Sequence, residues 1–276
     1  MDIVVRFYED ARLFSVAAEE FLLSRTVLHN LILTIVDNRL NQPESGRYWV
    51  AFRGDRVVGV ALQSPLTYPA TLVPMEPVVA SALVDAIADE GVILPGVNGD
   101  VATAASFAGR WTERHKSAAF PAQGLRLYEL AELNEITPVI GNLRNAEEED
   151  RSLAVSWLRE FYFESHTPAS NGESFIDSAL ASKRLWLWQN GRVVSMAISS
   201  NAIQNVVRIS AVYTPPGDRM RGYAGACVHG ASKLLTDAGY HCMLYTDLGN
   251  PISNSIYRRI GYKAIAEAIH YRFDPL

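Results

Sequence analysis

The sequence predicts an α/β protein made of two similar halves in tandem, on the evidence of its length, its composition and an internal repeat. The chain has 276 residues, of which 49% are hydrophobic and 20% charged. That composition is typical of globular proteins, and the length suits two compact domains. The repeat consists of two β-hairpins, whose second strands read RVVGVALQS at residues 56–64 and RVVSMAISS at residues 192–200. Each follows an aromatic strand and a turn that contains glycine.

The elements after each hairpin support a duplication. Both halves continue with an extended segment, a helix, a glycine, a short apolar strand and a second helix. In the first half we expect the helix at 78–90, Gly91, the strand at 92–94 and the second helix at 101–113. In the second half we expect the corresponding elements at 222–238, Gly239, 241–246 and 252–259.

Residues 134–141 are expected to separate the halves. Pro138 lies inside this stretch, removes a backbone donor and disfavours helix in the residue before it. The predicted domains are therefore 1–137 and 138–276. The acidic run at 147–150 then precedes apolar residues at helical spacing, which is typical of a first helical turn at the positive end of the dipole.

Composition also excludes several classes of function. A net charge of −5 lacks the basic excess of a nucleic-acid-binding protein, so no nucleic-acid partner is expected. No stretch reaches the ~18 apolar residues of a membrane span, and we expect a cytoplasmic protein without a membrane partner. Cys227 and Cys242 are interpreted as two buried thiols, and the six scattered histidines predict no metal site.

The functional site is expected just after residues 206–214, which are rich in β-branched residues and predict a strand. Two prolines end the strand, and a helix then opens with the sequence Arg219-Met220-Arg221-Gly222-Tyr223-Ala224. Free N–H groups and the dipole at that helix start favour a bound phosphate, and Arg219 and Arg221 add positive charge. This segment therefore predicts an anion site.

Two motifs resemble the GNAT N-acetyltransferase superfamily. Arg219-x-x-Gly222-x-Ala224 resembles its acyl-CoA pyrophosphate loop, and Asn250, followed seven residues later by Tyr257 and then by Gly261-Tyr262, resembles its last conserved segment. The resemblance covers residues 142–276. It implies two GNAT-like domains in tandem, each a mostly antiparallel sheet flanked by helices, of which the first is a degenerate copy.

The resemblance also implies a set of site residues. The acyl-CoA-binding residues are expected to be Ala211, Val212, Tyr213, Thr214, Arg219, Met220, Arg221, Gly222, Tyr223, Ala224, Asn250 and Ser253. Backbone N–H groups near Val212 to Thr214 would polarise the thioester carbonyl, and Tyr257 would protonate or hydrogen-bond the leaving sulfur. On a helix, Ile252, Ile256 and Ile260 form one buried row with Tyr257 at its edge, so Tyr257 could equally be a packing residue.

The base that takes the proton of the amine is not identified by the sequence. Glu164 and His166 are the two candidates, because family members commonly build the acceptor site in that segment; a solvated loop pair is the alternative. In the first half, residues 68–77 stand where the phosphate loop should be, with three prolines and no glycine. We therefore expect no cofactor there.

The function that these residues predict is acyl-CoA-dependent N-acetylation of a primary amine in a small molecule or peptide. Acetyl-CoA is the expected co-substrate, with no metal, and the protein is expected to be a monomer or homodimer. The alternative is a non-catalytic acyl-CoA-binding or regulatory module. A nucleotide-binding protein is disfavoured because the usual glycine-rich motifs are missing. The acceptor cannot be identified from the sequence.

Overall fold

The computed structural model describes residues 2–165 and 172–275. Contacts between Cα atoms divide the chain into two compact units. Unit 1 contains the chain up to Leu127, together with Asp247–Gly249 and the chain from Ile265 onward. Unit 2 contains Tyr128–Thr246 and Asn250–Ala264. These units differ from the expected division into 1–137 and 138–276, because residues from the C-terminal part of the chain complete the first unit.

Within the described residues there are twelve strands and eight α-helices. The first unit holds β1 (Ile3–Tyr8), α1 (Ala11–Leu23), α2 (Asn30–Asn41), β2 (Arg47–Arg53), β3 (Arg56–Gln63), β4 (Ala70–Leu72), α3 (Pro77–Asp89), β5 (Gly96–Asp100) and α4 (Val101–His115). Strand β6 (Ser117–Leu130) leads from unit 1 into unit 2.

Unit 2 repeats this succession. It holds β7 (Asn142–Asn145), α5 (Arg151–Glu164), α6 (Gly172–Ala181), β8 (Leu185–Asn190), β9 (Arg192–Ser199), β10 (Val206–Tyr213), α7 (Tyr223–Asp237), β11 (His241–Asp247) and α8 (Pro251–Ile260). Strand β12 (Tyr262–Pro275) begins in unit 2, and its later residues belong to unit 1.

The strands confirm the predicted mixed, mostly antiparallel sheet. In unit 1 the neighbours run β1, β2, β3, β4, β5 and then β12, with a parallel pairing between β4 and β5. In unit 2 they run β7, β8, β9, β10 and β11, with a parallel pairing between β10 and β11. The remaining neighbouring pairs in these two series are antiparallel. Each unit thus has a parallel pair at the same place in its order of strands.

The two predicted hairpins are confirmed as β2–β3 and β8–β9. Their pairing shifts register at corresponding points, between Ala51 and Phe52 in one hairpin and between Trp188 and Gln189 in the other. Both hairpins therefore carry an irregularity of the bulge type at the same place in their pairing. This agreement in backbone detail supports the interpretation of the halves as copies.

Apolar cores lie on both faces of the sheet in each unit. In unit 2, helices α5 and α6 cover one face, with Trp157, Ile176 and Met196 in that core. Helices α7 and α8 cover the other face. Cys227 and Cys242 lie in this second core as buried free thiols, as predicted. Burial raises the pKa of the Cys242 thiol to about 12, which keeps it protonated and unreactive.

Two local predictions are wrong. Residues 92–94 are not a strand; the strand of this segment is β5, which begins at Gly96. The row Ile252, Ile256, Ile260 is not buried as a whole, because Ile252 is 58% exposed. The buried residues of α8 are Asn254, Tyr257 and Ile260, since the side chain of Asn254 is held inside the unit by a hydrogen bond from the Tyr128 hydroxyl at 3.0 Å.

Within the described residues, none of the helices combines the length and the apolar character that crossing a bilayer requires.

Candidate functional site

The site begins where strands β10 and β11 diverge. Their parallel pairing runs from Val206 and His241 to Ile209 and Leu244, and both strands continue beyond that point. On its other side, β10 shifts register against β9 between Ser210 and Tyr213. Ala211, inside this bulge, has a φ of +47°. A non-glycine residue adopts that conformation rarely and at a cost, and such strain is concentrated at functional sites.

The connection from β10 to α7 forms an open, cationic loop. Met220 and Gly222 both have left-handed backbone, with φ of +62° and +82°. Met220, Arg221 and Gly222 are all exposed. Gly222 is the N-cap of α7 and brings no capping side chain, so the first N–H groups of the helix are left for an external acceptor. A Cβ at Gly222 would lie 3.1 Å from Cγ2 of Val139, in addition to the strain of its φ.

Two side-chain contacts hold this loop. Asp218 is buried and receives hydrogen bonds from Nη2 of Arg192 at 2.8 Å to both carboxylate oxygens. The Tyr223 hydroxyl accepts a hydrogen bond from Nδ2 of Asn190 at 2.8 Å. Both partners come from the β8–β9 hairpin, so the repeated hairpin positions the loop.

The strand end and the loop are joined by Arg219. Its Nε donates to the Thr214 carbonyl oxygen at 2.8 Å. Its Nη2 lies 2.7 Å from both carboxylate oxygens of Glu164, at the end of α5. The side chain of Arg219 therefore points toward α5 in this structure, and Arg221 is the more exposed cation of the loop, at 60% against 41%.

Tyr257 lies in α8 and is 7% exposed. It packs between Tyr128 and Tyr262, with ring centroids 6.4 and 6.2 Å away. Burial raises the pKa of its hydroxyl to about 12, so the group stays protonated at neutral pH. Tyr257 belongs to the core on the α7–α8 side of the sheet, together with Ile209 of β10 and Leu244 of β11.

Asn250 and Ser253 lie at the start of α8. The side chain of Asn250 caps this helix by accepting a hydrogen bond from the Ser253 backbone N–H at 3.0 Å. The cap fixes the first turn of the helix that carries Tyr257. These two residues are therefore engaged with each other here, and their contact with a cofactor stays a prediction.

Glu164 and His166 are the two candidates for the base. Glu164 is ion-paired with Arg219. His166 lies outside the described residues. Sequence analysis missed Glu160, whose carboxylate accepts a hydrogen bond from the Tyr213 hydroxyl at 2.5 Å. Its spacing of four residues from Glu164 on a predicted helix was the available signal, since residues four apart share a face.

No group of three or more His, Cys, Asp and Glu side chains that could hold a metal occurs in the described part of the chain.

The corresponding junction of unit 1 lacks the loop. β4 is three residues long, and α3 begins at Pro77 with Glu76 as N-cap. The Glu76 carboxylate is hydrogen-bonded to the Arg53 guanidinium at 2.8 and 3.1 Å, and this bond lowers its pKa. Pro77 has no backbone N–H to offer, and the Glu76 carboxylate, paired with Arg53, occupies the start of the helix. The absence of a cofactor site from the first half stays a prediction.

Comparison with known proteins found one matching family model and many similar solved structures. Residues 191–271 match the family model described as FR47-like protein. A search of curated protein sequences found no match.

Solved structures agree with the fold over nearly the whole chain. A GNAT-family acetyltransferase from Colwellia psychrerythraea is 10% identical, with a TM-score of 0.65 over 98% of this chain and 100% of that one. A GCN5-related N-acetyltransferase from Sphaerobacter thermophilus is 16% identical, with a TM-score of 0.66 over 98% and 95%.

A tandem GNAT protein from the clavulanic acid biosynthesis pathway is 10% identical, with a TM-score of 0.57 over 97% of this chain and 98% of that one. At these identities the likeness concerns the fold. The predicted resemblance is confirmed at that level: this chain has the fold of these GNAT proteins.

Proposed function

We propose that the protein is an acyl-CoA-dependent N-acetyltransferase and that unit 2 carries the reaction. The acceptor would be a primary amine of a small molecule or peptide, and acetyl-CoA the donor. The observation that carries this proposal is the divergence of β10 from β11 at a left-handed Ala211, followed by a helix that opens at Gly222. The segment 210–222 thus begins with a strand edge that is no longer paired with β11. It ends at the first N–H groups of α7, which receive no capping side chain from Gly222.

The residues of this segment fit an acyl-CoA by their chemistry. N–H groups at the start of α7 and the exposed Arg221 suit the pyrophosphate, since a helix N-terminus attracts anions. The unpaired edge of β10 beyond Ile209 suits the amide groups of pantetheine, which could add to it like a strand. Backbone N–H groups from Val212 to Thr214 would polarise the thioester carbonyl, as oxyanion donors do.

Tyr257 would assist the departure of the thiolate. Its pKa of about 12 exceeds the ~8.5 of an ordinary thiol, so complete proton transfer from tyrosine to thiolate is uphill. A hydrogen bond from the hydroxyl to the developing negative charge on sulfur has no such cost. We therefore assign Tyr257 the stabilisation of the leaving sulfur, and the proton that finally reaches it comes from the amine.

The test is release of free CoA thiol from acetyl-CoA by the full-length protein, with a panel of polyamines, aminoglycosides, amino acids and peptides. We expect thiol release that depends on at least one amine and an acetylated product by mass spectrometry. Calorimetry should give one acetyl-CoA site per chain. Binding of acetyl-CoA without turnover of any amine would instead favour the regulatory module, and the absence of binding would reject both functions.

A further inference from the structure

Two carboxylates of α5 meet the hydroxyl of Tyr213. Glu160 and Glu164 are four residues apart and therefore lie on one face of the helix. The Tyr213 hydroxyl donates to Oε2 of Glu160 at 2.5 Å, and Oε1 of Glu164 is 3.5 Å from the same hydroxyl oxygen. Tyr213 is the last residue of β10, two positions after Ala211. The cluster thus lies at the end of the strand to which we assign the thioester.

The two carboxylates are not equivalent. Glu164 forms an ion pair through both of its oxygens with Arg219, which is anchored on the Thr214 carbonyl oxygen. A proton on Glu164 would weaken that ion pair. Glu160 has the neutral hydroxyl of Tyr213 as its partner, so protonation of Glu160 breaks no ion pair between these groups. Of the two carboxylates, Glu160 is therefore the one that can take a proton without loss of the ion pair to Arg219.

Tyr213 is held rigidly between these groups. Its side chain is 4% exposed and packs against Trp157, with ring centroids 6.0 Å apart. The guanidinium carbon of Arg219 lies 5.7 Å from the centroid of its ring. A tyrosine whose hydroxyl donates to a carboxylate keeps a lone pair for a further donor, besides the one that faces the Arg219 guanidinium. A substrate N–H group is a suitable donor.

We propose that the acceptor amine binds as an ammonium ion and gives its proton to the Tyr213 oxygen while the Tyr213 proton moves to Glu160. One N–H bond breaks, one O–H bond forms on Tyr213, and the original Tyr213 proton forms a new O–H bond on Glu160. The electron pair stays on nitrogen and becomes the nucleophile. Glu160 later returns the proton to water. This inference rests on the proposed function and identifies the proton acceptor that the sequence left open.

The charges of the cluster also indicate the class of acceptor. Glu160 and Glu164 carry two negative charges against the single positive charge of Arg219. The excess negative charge attracts a cationic aliphatic amine and repels one that carries a carboxylate beside the amino group. We therefore expect polyamine-like or lysine-like primary amines to be turned over better than free α-amino acids.

The first test is the pH dependence of kcat/KM with the best acceptor of the panel, comparing the full-length protein with Glu160→Gln and Tyr213→Phe. General-base catalysis is typically worth about 10² to 10⁴ in rate, and we expect a loss of that size for Glu160→Gln at neutral pH. The loss should shrink as the pH rises toward the amine pKa, about 10.4 for a lysine-like amine, because the substrate then arrives deprotonated.

A series of ethylamine and its mono-, di- and trifluoro analogues gives a second readout at constant pH. Fluorine lowers the amine pKa with little change in size, so the defect of Glu160→Gln should narrow along the series. Glu149→Gln, an exposed carboxylate just before α5, is the matched control and should behave as the unmodified protein. A loss of equal size for every amine and pH would show a merely structural role, and no loss would overturn the proposal outright.

The hydrogen bond itself can be tested without any substrate. Burial, together with the contact to Glu160, raises the pKa of the Tyr213 hydroxyl. The other charged groups that act on it are Glu164 and Arg219. Tyrosine absorbance titration, with Tyr213→Phe used for subtraction, should give a lower Tyr213 pKa in Glu160→Gln than in the unmodified protein. An unchanged Tyr213 pKa would reject this contact.

The outcomes separate this inference from the function on which it rests. A protein that acetylates no amine refutes the proposed function, and the inference with it. A protein that acetylates amines while Glu160→Gln shows a uniform loss or no loss refutes only the role of Glu160.

Discussion

The junction between β4 and α3 in unit 1 and the junction between β10 and α7 in unit 2 have the same topology and different chemistry. In both, a strand with a parallel neighbour leads into a helix. β10 continues past its parallel pairing through a left-handed Ala211, whereas β4 ends after three residues. The α7 helix opens at an exposed Gly222, and α3 opens at an ionised Glu76 followed by proline.

The comparison shows how few residues separate the proposed anion site of unit 2 from the connection in unit 1. Both units keep the hairpin, its bulge and the parallel pair. A strand extension, a glycine at the helix start and the absence of a carboxylate there are the differences that bear on phosphate. The two units share the fold and differ at the junction to which we assign the function.

The largest expected effect comes from cutting unit 2 at the predicted boundary. A fragment of residues 138–276 lacks Tyr128, which is fully buried in unit 2 and bonded to Asn254, and it retains residues that belong to unit 1. We expect it to be insoluble or unfolded by circular dichroism. A fragment of residues 125–264 should be better folded, and equal behaviour of the two fragments would contradict the unit boundaries.

Substitution of Gly222 tests the proposed phosphate site directly. Gly222→Asp should abolish acetyl-CoA binding in calorimetry, because it places a carboxylate at the start of α7, as Glu76 is placed in unit 1. Gly222→Asn is the matched control for shape and for the φ of +82°, which asparagine tolerates better than most residues. Equal losses in the two variants would attribute the effect to the backbone and not to charge.

The variant Tyr257→Phe tests the reaction in unit 2 separately from the binding of acetyl-CoA. Tyr257→Phe should lower kcat by about 10², the lower end of the usual range, since a hydrogen bond to the leaving sulfur is lost and little else changes. Acetyl-CoA affinity should stay within about twofold, because the interaction forms in the transition state. An unchanged kcat, measured where chemistry limits the rate, would return Tyr257 to a packing role.

The smallest expected effect is that of Glu76→Gln. Removing this charge should leave one acetyl-CoA site per chain, because Pro77 still lacks an N–H and β4 is still short. Calorimetric titration counts the sites. A second acetyl-CoA site in this variant would mean that the charge of Glu76 alone prevents unit 1 from binding acetyl-CoA.

Local patterns predicted much of the fold, and long-range contacts account for most of what was missed. The hairpins were predictable because alternation and a glycine turn lie within one short stretch. β5 was missed because its sequence, GVNGD, has the composition of a turn. It forms a strand because β12 pairs with it, so closely that a Cβ on Gly96 would lie 2.3 Å from the Tyr271 carbonyl oxygen.

The same limit applies to the candidate site. The loop at 219–224 and Tyr257 could be singled out because their motifs are contiguous in sequence, and their roles stay predictions. Glu160 was missed, since its partner Tyr213 is 53 residues away and the only local signal was its spacing of four residues from Glu164. The ion pair between Glu164 and Arg219 spans 55 residues in the same way. Pairings over such distances are set by the docking of α5 on the sheet.

The pairing of β12 with β5 affects the order in which the chain can fold during synthesis. Residues 96–100 of unit 1 pair with residues 268–272, which the ribosome adds about 170 positions later. Domains made first usually fold first, but here unit 1 waits for a strand that is translated after all of unit 2. Until then β5 presents an open strand edge, the kind of surface that pairs with other chains. A nascent chain that stalls before residue 268 would therefore aggregate through β5.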